Sequence, residues 1–215
     1  MLMPSKTTVK ICGLTRAEDV ESAILYGASY LGFIVECPSK RRLSVAQAAK
    51  LSAPARGLIP RVAVTVNPNN DLIHRILTDM QPDFIQLHGD ETPARAAEIA
   101  RKCKLIKAVG IASDDDMKIA ETYAGLADFI LYDAKPPKGE AVRGGHGIPI
   151  DWNIIGSAPT PKTFAVAGGL NAENVGAAIA ATRAPIVDVS SGVEASAGVK
   201  DALKIAAFMK AVENG

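Results

Sequence analysis

The chain is poor in the residues that build metal centres and covalent cross-links. Its 215 residues include three cysteines (Cys12, Cys37, Cys103) and three histidines (His74, His88, His146). An odd number of cysteines without short, regular spacing argues against a disulfide framework and against a zinc cluster. The histidines are too few and scattered for a His/Asp metal-ligand set, so no metal is expected. No run approaches the ~20 apolar residues needed to cross a bilayer. The opening MLMPSKTTVK has no apolar stretch of the secretory type, and a reducing cytoplasm is the expected setting. The formal net charge is only +1, so no overall field recommends nucleic acid or an anionic membrane as partner. Any anion must be held by a local site. Linkers and low-complexity runs are also missing, which predicts one domain over residues 1–215.

What recurs is a short β-branched run followed by an amphipathic, Ala-rich stretch. The strand candidates are TTVKIC (7–12), SYLGFIV (29–35), PRVAVTV (60–66), DFIQL (83–87), KLIKAV (104–109), DFILYD (128–133), KTFAVA (162–167) and PIVDVS (185–190). Near-continuous apolar strands suit a parallel sheet covered on both faces, and their alternation with helices is the α/β signature. Eight such units predict a closed (β/α)8 TIM barrel rather than an open doubly wound sheet. The chain is nevertheless short for that fold, where ~250 residues is typical.

In such a barrel the chemistry sits at the carboxyl ends of the strands. Polar residues gather there: Cys12 after the first strand, Gln86 and His88 at the fourth, Asp133 at the sixth. Two small-residue turns, AVAGGLNAENV (165–175) and DVSSGVEASAG (188–198), follow the last two strands. Loops seven and eight are the usual phosphate cradle of the fold. Gly168, Gly169, Ser190, Ser191 and Gly192 are therefore assigned to a phosphate group, and the expected partner is a small phosphorylated metabolite.

Cys12 precedes a helix start, where a thiolate is favoured; it can serve as nucleophile or as general base, the alternative being a small buried hydrophobe. Strand alternation puts Asp133 on one face with Leu131 and Phe129. A carboxylate facing a barrel interior must work or be paired, and Lys135 and Lys138 are the neighbours available for pairing. Lys10 shares a face with Cys12 and is expected to pair with Asp188; a Schiff-base amine is the alternative. His88 reads as a structural loop residue.

The segments KICGLT (10–15), SKRRLS (39–44), DFIQLHGDE (83–91), GHGIPIDW (145–152), AVAGGLNAENV and VDVSSGVEA (187–195) occur in this order. With them the chain resembles the phosphoribosylanthranilate isomerase family almost end to end. The resemblance implies a cofactor-free Amadori rearrangement of tryptophan biosynthesis, with Asp133 as general acid and Cys12 as general base. It places Gln86 and Asp188 among the substrate contacts. It also places Arg41 on the substrate's carboxylate, although Arg42 stands where many members carry an aromatic residue, so the two arginines compete for that role. The stretch after Asp133, with Gly144, Gly145, His146 and Gly147, resembles a mobile lid. A barrel that binds phosphosugars without turnover is the rival reading, as is a metal-dependent epimerase. Oligomeric state is not legible.

Overall fold

A computed structural model describes residues 7–135 and 151–215; the expected lid, with Lys138 and His146, lies outside them. The chain alternates β1 (Thr8–Ile11), α1 (Ala17–Leu25), β2 (Tyr30–Val35), α2 (Val45–Ser52), β3 (Arg61–Thr65) and α3 (Asn70–Arg75). It continues through β4 (Phe84–Leu87), α4 (Pro93–Ala100), β5 (Lys104–Ile111), α5 (Asp114–Glu121) and β6 (Phe129–Ala134). The described remainder is α6 (Trp152–Ser157), β7 (Phe164–Val166), α7 (Val175–Thr182), β8 (Ile186–Val189) and α8 (Ala202–Asn214). Every neighbouring pair of these strands is parallel, and β1 pairs with both β8 and β2, so the sheet closes into the expected eight-stranded barrel. A short strand, Arg42–Leu43, adds outside β2, and a hairpin of Glu194–Ser196 with Val199–Lys200 follows β8.

Several helices begin where a side chain can satisfy their free amides. Ser44 and Gln47 form a reciprocal capping box at α2, while Thr92, Asn69 and Asp201 each accept a backbone N–H at α4, α3 and α8. The apolar faces of these helices and the outward strand residues form one core layer. A second cluster fills the barrel, including Val62, Val64, Ile106, Phe129, Leu131 and Ala165. Tyr30, Phe84 and Phe129, each first in its strand, meet edge to face or tilted with ring centroids 5.9–6.0 Å apart. These rings plug the amino end of the barrel and leave the carboxyl end for polar groups. Alternation along β6 holds as expected: Phe129 and Leu131 point inward, Ile130 and Tyr132 outward.

Candidate active site

A cleft of about 740 Å³ opens at the carboxyl end of the barrel, lined by Cys12, Arg41, His88, Asp133, Asp188 and the turns at Gly168–Gly169 and Ser190–Ser191, among others. Of the residues assigned from sequence, Gln86 and Gly192 do not line it; the other eight do.

Cys12 directly follows β1, where its amide donates to the Val189 carbonyl at 2.8 Å. Gly13 then turns the chain at φ +75°. Across the strand pair, a Cβ on Gly32 would lie 2.9 Å from the Cys12 sulfur and 3.2 Å from Lys10 Nζ. A glycine at this point of β2 is what makes room for both side chains. Lys10 is fully buried, and its Nζ donates to Asp188 Oδ1 at 2.9 Å. The two residues are in register on β1 and β8, so the expected pair exists because both strands present the same interior layer. Burial opposes the charge on Lys10, but the carboxylate of Asp188 and the nearby Cys12 outweigh it and raise the amine's pKa. Lys10 is thus a cation engaged by Asp188 and does not line the cleft, which leaves no geometry for a Schiff base. Burial pushes the Cys12 thiol up, and the Lys10 ammonium pulls it part of the way back.

Asp133, near the end of β6, is held on both oxygens. Oδ1 accepts the Ala134 amide at 2.8 Å, and Oδ2 lies 3.1 Å from His88 Nε2. The other ring nitrogen of His88 lies 3.0 Å from Gln86 Nε2. Gln86 is fully buried and reaches the cleft only through His88. His88 is therefore more than a loop residue: it lines the cleft and touches Asp133. Lys135 does not pair with Asp133; it turns to Asp116, 2.5 Å away.

The two small-residue turns interlock. Gly168 and Gly169 have φ of +87° and +65°, which only glycine adopts readily, and Asn174 Nδ2 donates to the Gly169 carbonyl at 3.0 Å. Ser190 precedes a single 3₁₀ turn, Ser191–Val193. A Cβ on Gly192 would sit 1.9 Å from the Leu170 carbonyl oxygen. Gly192 is the point where one turn packs on the other rather than a cleft-lining group.

Arg41 lines the cleft with its guanidinium in a fork on Glu194: Nε to Oε1 and Nη2 to Oε2, both 2.7 Å. Arg42 is exposed on the short strand outside β2. Among the described residues no group of three or more His, Cys, Asp or Glu side chains could hold a metal ion, and no helix is long and apolar enough to cross a membrane.

A family model for N-(5'-phosphoribosyl)anthranilate (PRA) isomerase matches residues 9–211. The chain belongs to the PRA isomerase family. It is 43% identical over 207 residues to the N-(5'-phosphoribosyl)anthranilate isomerase of Rhizobium johnstonii, covering 95% of this chain and 93% of that protein. The crystal structure of phosphoribosyl anthranilate isomerase from Thermotoga maritima superimposes with a TM-score of 0.87 at 36% identity, covering 97% of this chain and all of that one. A phosphoribosyl anthranilate isomerase solved in complex with reduced 1-(o-carboxyphenylamino)-1-deoxyribulose 5-phosphate superimposes with a TM-score of 0.84 at 34% identity, with the same coverage.

For this PRA isomerase family member, sequence reasoning passes over two buried ion-pair centres. One is Glu194 with Lys200, whose Nζ donates to Glu194 Oε1 at 2.8 Å. The other is Lys107 with Glu91, 3.0 Å apart, where Glu91 also accepts the amides of Asn67 and Gly89. That second centre ties down the loop carrying His88. Its signal is the lysine inside the apolar run KLIKAV, an anomaly of the same kind as Lys10 in TTVKIC.

Proposed function

We propose that the chain converts N-(5-phosphoribosyl)anthranilate to 1-(o-carboxyphenylamino)-1-deoxyribulose 5-phosphate, with Asp133 as general acid and Cys12 as general base. The observation that carries this reading is the gathering of the two groups, Arg41 and two small-residue turns around one cleft. Anchored by its phosphate at Gly168–Gly169 and Ser190–Ser191 and by its carboxylate at Arg41, the ribose spans the space between acid and base. Asp133 protonates the furanose ring oxygen as the C1′–O bond breaks, and the nitrogen lone pair forms the Schiff base. The Cys12 thiolate then removes the C2′ proton, giving an enolamine that tautomerises to the ketone. Hydrogen moves only within the substrate and these side chains, so the net reaction balances without an oxidant, reductant or cofactor. Asp188, with Oδ1 on Lys10, keeps an oxygen for a sugar hydroxyl. Gln86 contributes through His88.

Freshly formed PRA mixed with the protein is expected to lose its anthranilate-type fluorescence at a rate proportional to enzyme and indifferent to chelator. A folded protein that binds the substrate without this loss would make the chain a phosphosugar binder instead.

A further inference from the structure

The basic corner of the cleft decides which edge of Arg41 meets a ligand. Arg41 lies between β2 and α2, Glu194 begins the hairpin after β8, and Lys200 closes that hairpin. Their side chains are 11%, 5% and 0% exposed. The Arg41 stem crosses Gly13, where a Cβ would come within 2.5 Å of Arg41 Cδ. Both Glu194 oxygens take the Nε–Nη2 edge of the guanidinium at 2.7 Å. Lys200 Nζ holds Glu194 at 2.8 Å and also donates to the Ser190 carbonyl at 3.0 Å. Planar guanidinium carries five N–H donors in two bidentate edges. With one edge taken by Glu194, the Nη1–Nη2 edge remains, and among the described residues nothing pairs with Nη1. Arg41 and Lys200 both face the one Glu194 carboxylate in this nearly dry corner, and burial together with the Arg41 charge lowers the Lys200 pKa, which an incoming anion would oppose.

We propose that Glu194 is a positioning residue that sets aglycone specificity: it grips one edge of Arg41 so that the other edge receives the substrate's ortho-carboxylate. Lys200 fixes Glu194 and couples this grip to the Ser190 turn that holds the phosphate. The inference rests on the reading of Arg41 as the carboxylate-binding residue.

The test compares kcat and KM on PRA and on N-(5-phosphoribosyl)aniline, which lacks the carboxylate. Wild type, Glu194→Gln, Arg41→Met and the double variant are measured, with melting temperature as the check on folding. Wild type should prefer PRA by about 100-fold in kcat/KM, the value of a charged hydrogen-bonded contact. Glu194→Gln should cut that preference about tenfold, chiefly through KM for PRA, while kcat on either compound changes less than about threefold. In the Arg41→Met background, Glu194→Gln should take away no further preference. If Glu194→Gln fails to fold, Glu194→Asp retains the charge that Lys200 needs while drawing the fork back, and should still lose at least about threefold of the preference. Equal losses on both compounds, an undiminished preference in Glu194→Asp, or additive losses in the double variant would overturn the proposal. A preference that survives Arg41→Met would overturn the reading of Arg41 itself, and turnover of neither compound by wild type would overturn the isomerase reading.

Discussion

His88 Nε2 lies 3.1 Å from Asp133 Oδ2, on a ring whose opposite nitrogen meets the Gln86 amide at 3.0 Å. The ring is thus held from both nitrogens, by the Gln86 amide on one side and the Asp133 carboxylate on the other, and a buried glutamine fixes the imidazole that meets Asp133. His88→Gln is expected to lower kcat on PRA by about 10-fold or more, within the range that a positioned proton donor contributes, with KM changed much less. Steady-state kinetics check this. An unchanged kcat would mean that the Ala134 amide alone suffices to hold Asp133.

The environment of Cys12 predicts the pH dependence. Burial raises its thiol pKa and Lys10 moderates the rise, so the free enzyme carries mostly thiol at neutral pH. With Cys12 as the proposed base, the active form is the thiolate, whose fraction grows with pH. On its alkaline-going side kcat/KM should therefore climb as pH rises from 7 toward 9, by up to about tenfold per unit. Lys10→Met removes the moderating cation and should push this limb to higher pH. The same substitution leaves Asp188 buried without its cation, at a cost of about 3–5 kcal/mol in urea unfolding. Undiminished stability and turnover in Lys10→Met would remove Lys10 from the account.

Lys107→Met tests the second buried pair. Glu91 would keep the Asn67 and Gly89 amides but lose its cation, and about 3–5 kcal/mol of stability should go with it. A urea midpoint within error of wild type would contradict this.

Gly192→Ala places a methyl group where the Leu170 carbonyl oxygen stands, 1.9 Å away. Since the two turns must separate, competitive inhibition by inorganic phosphate should weaken several-fold, and stability should fall by about 1–3 kcal/mol, as for overpacking elsewhere. Unaltered phosphate inhibition would show that the interlock does not shape the anion site.

The barrel was legible because its strands are short, apolar and β-branched and its βα turns carry the polar residues. Lys10 with Asp188 was legible too, since alternation on neighbouring strands puts both on one interior layer. The partner of Asp133 was not. Sequence proximity favours Lys135, but β6 ends between them: Asp133 points into the barrel while Lys135 turns out to Asp116. His88 is 45 residues away, following a strand two places round the barrel from β6, with β5 between them. Glu194 escaped notice for the same reason, as its partner Arg41 is 153 residues distant. Gln86 was expected among the substrate contacts; its buried side chain instead meets His88 through its amide nitrogen.

Asp133 and Cys12 are proposed to perform two successive proton transfers on one bound substrate. The most direct measurement is single-turnover conversion of freshly formed PRA by wild type, Cys12→Ala and Asp133→Asn, with inorganic phosphate protection confirming that each variant still holds the anion. Both variants should retain the phosphate site and lose conversion by at least about 10²-fold. A folded, phosphate-binding variant of either residue that still converts PRA at the wild-type rate would contradict the account.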